Sequence, residues 1–188
     1  MKYTTKLHHS TIFVVCSMAV FLLSFASCTR TKGNLGGHDY VDMGLPSGTL
    51  WATSNIGANS ETEKGELFKW AQIEGSSWGE EWSLPTRDQI QELLLPSHTT
   101  CTYVTKNDVP GFEIKSVHNG ATLFFPAAGS SSQNNTGKSG YYWSKSSISP
   151  MSYDIMYFKS LPDSISAGVA SYERSFTLSV RLVTKKQQ

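Results

Sequence analysis

Histidine, cysteine and serine are the residue types with which this 188-residue chain could do chemistry, and their spacing offers little of it. Beyond the first 28 residues the histidines are His38, His98 and His118, separated by 60 and 20 residues with no carboxylate at ligand spacing. There is no H-E-x-x-H motif and no cysteine pair, so no metal ligand set is expected. "TGKSGYY" over 136–142 echoes the end of a phosphate loop, but the leading glycine would fall on Ser132 and a strand follows instead of a helix. A serine nucleophile on a strained elbow is not expected either. The sequence thus predicts no catalytic residue and no cofactor, and solvent exposure at a hairpin tip accounts for His118.

Binding chemistry is better served. The polar loop "GSSSQNNTGKSGYY" over 129–142 lies between two predicted strands, where a rigid scaffold presents loops to ligands. Gln133, Asn134 and Asn135 can hydrogen-bond a sugar or a peptide, with Tyr141 or Trp78 as a stacking face. Trp78 sits in "EGSSWGEEW", among small and acidic residues, in a setting that suits exposure.

The cysteines speak about location. Lys2 and Lys6 precede an uncharged apolar run from Ile12 to Phe25, and Ala26 and Ser27 then lead into Cys28. This is the form of a secretory signal, and the run is shorter than the roughly 20 residues that span a bilayer. An apolar run, two small residues and a cysteine resemble the lipobox of bacterial lipoproteins, with Phe25 where leucine is usual. Residues 1–27 are therefore expected to be a lipoprotein signal peptide and Cys28 the acylated new N-terminus, palmitate included. Cys16 leaves with the signal and Cys28 carries lipid, so Cys101 remains alone and no disulfide framework is possible. A buried, inert thiol is the expected reading of Cys101.

Net charge is +1, and setting Lys2 and Lys6 aside leaves 14 basic against 15 acidic residues. A near-neutral domain does not suit a nucleic-acid partner, which needs a basic patch against phosphates. Residues 28–38 are Gly-rich and polar and read as the lipidated cysteine with a flexible tether. The domain proper is expected over 39–184, with a short tail at 185–188.

One helix is well specified over about 86–95. Thr86 caps it, Gln89 returns the bond, Ile90, Leu93 and Leu94 form the apolar stripe, and Pro96 stops it. A weaker helical pattern runs over 64–73. The rest is strand-like. "GFEIKSV" and "ATLFFPA" flank His118-Asn119-Gly120, a hairpin signal. "SYDIMYF" is apolar on both faces, which predicts a central strand. "SFTLSVRLV" alternates Phe176, Leu178, Val180 and Leu182 against Thr177, Ser179 and Arg181, which predicts one strand with a single buried face. The fold class is α+β.

In order, "YVDMGLPSGTLWATSNIGA", "GELFKWA", "WSLPT", "NGATLFFPAAG", "GYYWSKS" and "SVRLV" resemble the Fibrobacter succinogenes major paralogous domain, a group found in Bacteroidetes lipoproteins and related to the Legionella collagen-like C-terminal domain. The resemblance spans about 39–183. It implies a C-type-lectin-like fold, shared with formylglycine-generating enzymes, and an outer-membrane lipoprotein of the cell envelope, periplasm-facing or surface-exposed. The basic stretch after Cys28 favours the periplasmic face. The aromatics in these blocks, Trp51, Trp70, Trp82, Tyr142 and Trp143, are expected in the core, and Arg181 is expected to pair internally. The late cysteine pair of the formylglycine-generating enzymes is missing, as are the Glu-Pro-Asn, Gln-Pro-Asp and Trp-Asn-Asp signatures of calcium-dependent lectins. The expected function is a non-catalytic, lipid-anchored module that binds a glycan or a protein. The alternatives are an enzyme of the formylglycine-generating type and a purely structural envelope component.

Overall fold

The computed structural model describes residues 31–75, 78–130 and 135–186. Along the chain run β1 (Lys32–Leu35), β2 (His38–Asp42), β3 (Thr49–Ala52), β4 (Phe68–Lys69), a 3-10 helix (Trp70–Gly75) and α1 (Arg87–Leu94). Then follow β5 (Thr99–Lys106), β6 (Val109–Ser116), β7 (Thr122–Pro126), β8 (Ser139–Ser149), β9 (Ser152–Ser160), β10 (Ile165–Glu173), β11 (Thr177–Leu178) and β12 (Val183–Lys185). The described chain is strand-rich with one α-helix, an α+β arrangement.

The strands form a four-stranded sheet β1-β2-β3-β12, two three-stranded sheets, β5-β6-β7 and β8-β9-β10, and the short pair β4-β11. All their pairings are antiparallel. β9 is central, as its two apolar faces predict, and its period-2 alternation divides the core. Met156 and Phe158 join one cluster with Trp51, Ile90, Leu93, Phe112, Phe125 and Tyr142. Ile155 joins the other with Trp82, Tyr141, Trp143, Leu178 and Val180, and Tyr153 and Tyr157 pack against it. Each large side chain buried this way contributes about 1.5–3 kcal/mol, and the sheet lets one strand serve two cores.

The helix forms where its signals place it. Thr86 Oγ1 accepts from Gln89 N at 3.1 Å and Gln89 Oε1 accepts from Thr86 N at 2.8 Å, a complete capping box. Ile90 and Leu93 are fully buried, and Leu95 ends the helix in extended backbone ahead of Pro96. The hairpin at His118-Asn119-Gly120 also forms between β6 and β7, with Asn119 Oδ1 accepting from Ala121 N and Gly120 at φ +73°.

Three expectations are corrected. Residues 64–73 are not a helix: Phe68 and Lys69 pair with β11, and a 3-10 helix follows. Gly65, at φ +67°, starts this stretch outside helical backbone. The stretch read as tether contains β1, which pairs with β2 from Lys32↔Val41 to Leu35↔His38. Its polar, Gly-rich composition hides a strand because an edge strand of a half-exposed hairpin needs few apolar residues. Gly33 lets the Tyr40 ring lie across the hairpin, since a Cβ there would stand 2.3 Å from that ring and displace it.

The closing stretch is likewise not one half-buried strand. It breaks between β11 and β12, and Ser179 and Arg181 are as buried as their apolar neighbours Leu178, Val180 and Leu182. Arg181 is held by acceptors from distant segments: Asn55 Oδ1 at 2.8 Å, Ala52 O at 3.0 Å, Thr53 O at 2.9 Å and Phe124 O at 3.1 Å. Its guanidinium also lies 4.6 Å over the Phe125 ring. No carboxylate is among these hydrogen-bond partners. Burial pulls the Arg181 pKa down to about 10, which leaves it cationic at neutral pH.

Candidate functional site

The β1–β2 hairpin turns through Gly36 and Gly37, both with positive φ, and delivers His38 half-buried at the start of β2. The Trp78 indole lies flat on that imidazole, with centroids 3.8 Å apart and planes 2° from parallel. Trp82 meets both rings edge-on, at 6.3 Å from His38 and 5.3 Å from Trp78. Trp82 itself is buried, and its Nε1 donates to Leu35 O at 3.3 Å. The three rings therefore form a stack that is fixed to the core at Trp82 and half-buried at Trp78 and His38.

His38 also lines an open groove of about 930 Å³. Asn34, Asp39, Tyr40, Asn59 and Glu61 contribute amides, carboxylates and a phenol to its walls. Three of these are set in place: Asn34 Nδ2 donates to Asp39 Oδ1 at 2.7 Å, and Asn59 N and Nδ2 both donate to Glu63 Oε2. An aromatic stack beside a groove of amides and carboxylates offers a hydrophobic plate for one ring face and hydrogen bonds for a rim of hydroxyls.

The other expected binding residues are placed differently. Gln133 and Asn134 lie outside the described residues, as does Cys28. Asn135 and Tyr141 do come together, with Asn135 Nδ2 donating to the Tyr141 hydroxyl at 2.9 Å. Tyr141 is only 1% exposed, however, so it does not present the expected stacking face. It points with Trp143 into the second core cluster and tilts against Tyr172 at 5.6 Å. The alternation of β8 explains this: Tyr141 and Trp143 share a face, and β10 with its Tyr172 helps to cover it. Trp78 is half-buried and meets the groove only through His38, on which it stacks.

For catalysis the geometry is sparse. Among the described residues no three of His, Cys, Asp and Glu gather closely enough to hold a metal ion. Residues 75–79, Gly-Ser-Ser-Trp-Gly, spell G-x-S-x-G, a match that runs against the expectation of no elbow serine. Its context is wrong for a nucleophile elbow, because a 3-10 helix leads into it instead of a strand, and Ser76 and Ser77 lie outside the described residues. Cys101 is unpaired in β5, and burial pushes its thiol up to about 11. Tyr142 is fully buried, donates to Pro126 O at 2.7 Å, and its phenol is likewise pushed up by burial.

One juxtaposition escaped the sequence. His98 Nδ1 and His118 Nε2 stand 2.9 Å apart, although 20 residues separate them. The signal lay in strand register: Thr99 pairs with Ser116, so the residues beyond each strand end face one another. A second cleft, of about 640 Å³, opens beside the start of α1 and is lined by Thr49, Gln89, Lys145, Lys185 and Lys186.

Among the described residues no helix is long and apolar enough to cross a membrane. No family model, curated protein or solved structure matches the chain.

Proposed function

We propose that this protein is a non-catalytic, lipid-anchored module of the cell envelope that binds a glycan. In this reading Cys28 carries the lipid, the C-type-lectin-like scaffold holds the domain, and the Trp78–His38 stack with its adjoining groove receives the sugar. The observation that carries it is the flat stacking of Trp78 on His38 at 3.8 Å, beside a groove rich in amides and carboxylates. A pyranose has apolar C–H faces and an equatorial rim of hydroxyls, which suit an aromatic plate flanked by Asn and Asp side chains. His38 backs the indole and holds its plane, so little side-chain entropy is lost when a ring docks.

A glycan array probed with the detergent-solubilised protein tests this reading. Trp78→Ala should weaken binding to any glycan found by about tenfold to a hundredfold, the range for an aromatic anchor at the centre of a binding surface. Equal binding by wild type and Trp78→Ala would assign the sugar to another surface.

A further inference from the structure

We propose that His98 and His118 form an open binding site for a divalent transition-metal cation, Cu(II) ahead of Ni(II) or Zn(II). The inference is independent of the glycan reading and rests on the geometry of the two imidazoles. Their nitrogens, His98 Nδ1 and His118 Nε2, are 2.9 Å apart, with the rings tilted by 42°. Two nitrogens bound to one ion at about 2.0–2.1 Å lie roughly 2.8–3.0 Å apart when the angle at the metal is a right angle. At the tetrahedral angle they lie roughly 3.3–3.4 Å apart. The observed span is also the ordinary length of an N–H···N bond, so it brings the two nitrogens within reach of one ion, and the order Cu(II) ahead of Ni(II) or Zn(II) follows the general affinity of imidazole sites for these ions.

Both backbones are pinned. His98 N donates to Leu95 O at 2.8 Å and its carbonyl accepts from Val117 N at 2.9 Å. His118 N donates to Ser116 Oγ at 3.1 Å, and that hydroxyl donates to Met43 O at 2.7 Å. The next residue, Asn119, donates from Nδ2 to Asp42 O at 2.9 Å. Five hydrogen bonds among three segments of the chain thus hold the two backbones in register, and such fixing lowers the ordering cost of a chelate. His98 is half-buried and His118 is exposed, so a rotation of the His118 ring turns its lone pair onto an ion held by His98.

The metal-free pair shares a single N–H···N bond. The donating ring moves that proton to its other nitrogen when both lone pairs take the metal. Among the described residues no third His, Cys, Asp or Glu completes the set, so water fills the remaining positions and the ion exchanges readily.

Titration of the full chain with CuCl2, followed by calorimetry and electron paramagnetic resonance, tests the site. One bound equivalent should give an axial spectrum with coupling to two nitrogens. His98→Ala and His118→Ala should each weaken that equivalent by about tenfold or more, because either change removes the chelate. His38→Ala should leave it unchanged. His118 lies on an exposed turn, so His118→Ala should keep the metal-free melting temperature and remain informative if His98→Ala folds poorly. Failure to bind copper, or copper that survives His118→Ala with the same affinity and spectrum, would overturn the assignment. Copper held near His8 and His9 would give that second result.

Discussion

Arg181 and Asn55, 126 residues apart in the chain, meet in the core, with Arg181 Nε donating to Asn55 Oδ1 at 2.8 Å. Asn55 is itself tied to Lys64 O through Nδ2, so one side chain links the last strands to the loop ahead of β4. Arg181→Met should destabilise the fold by about 3–5 kcal/mol, since it leaves four buried acceptors without their donors. Asn55→Ala should cost roughly 1–3 kcal/mol by leaving a charged donor unpaired. Urea unfolding of both variants measures these losses. Wild-type stability in Arg181→Met would show that the buried cation contributes nothing to holding these segments.

Gly111 sets the fit of β6 against β7. A Cβ there would lie 2.4 Å from the Phe124 ring and 2.7 Å from Phe125 O. Gly111→Ala should therefore lower stability by about 1–3 kcal/mol through overpacking. Gly48→Ala, at φ +68° with open space around it, serves as the comparison and should cost about 1 kcal/mol from backbone strain alone. Thermal melts of the two variants distinguish steric from conformational cost.

Cys101 should be nearly inert in the native protein. Burial moves its thiol from 9.0 to about 11, so at a given pH the thiolate is about a hundredfold scarcer than in the unfolded chain. Iodoacetamide labelling at pH 8 should be correspondingly slow until urea unfolds the protein. The same shift sets an alkaline trend. Between about pH 9 and 11 the unfolded chain gives up the thiol proton while the folded one keeps it, so stability falls as pH rises. Arg181 works in the opposite direction above about pH 10, where the folded state releases a proton first. The interval from pH 9 to 10 is therefore where Cys101→Ala should flatten the loss seen in wild type.

The anchor is separately testable. Cys28→Ala should move the protein from the membrane fraction to the soluble one and abolish metabolic labelling with a palmitate analogue. Unchanged membrane retention would remove Cys28 from the proposal.

What could be read in the sequence is what local chemistry specifies. Thr86 and Gln89 make their box within one turn, and Asn119-Gly120 turns β6 into β7 without distant help. β9 was legible because residues apolar on both faces have only one place to go. Arg181 is a mixed case. Its internal pairing was expected, but its spacing in an alternating run suggests the solvent face, and the particular acceptors on Ala52, Thr53, Asn55 and Phe124 that hold it in the core could not be named. Those partners come from elements that no window of sequence brings together. The residues of the proposed binding surface divide in the same way. Trp78 was singled out from its setting, whereas its stacking partner His38 is supplied by a hairpin that reads as tether. Tyr141 looked like a loop residue because the strand that holds it begins at Ser139, inside a polar run.

β1 has a mechanical consequence. It is an edge strand of four residues with no fully buried side chain, and it pairs only with β2 in its sheet. A pull applied at Thr31 loads the hairpin at its open end, at Lys32↔Val41, and then at each pair in turn toward Leu35↔His38. That is the geometry of a zip fastener, in which bonds fail singly and at low force. The opposite edge, β12, stays locked to β3, so Lys32–Leu35 act as an extensible leash that yields before the tension reaches Trp51 and the core.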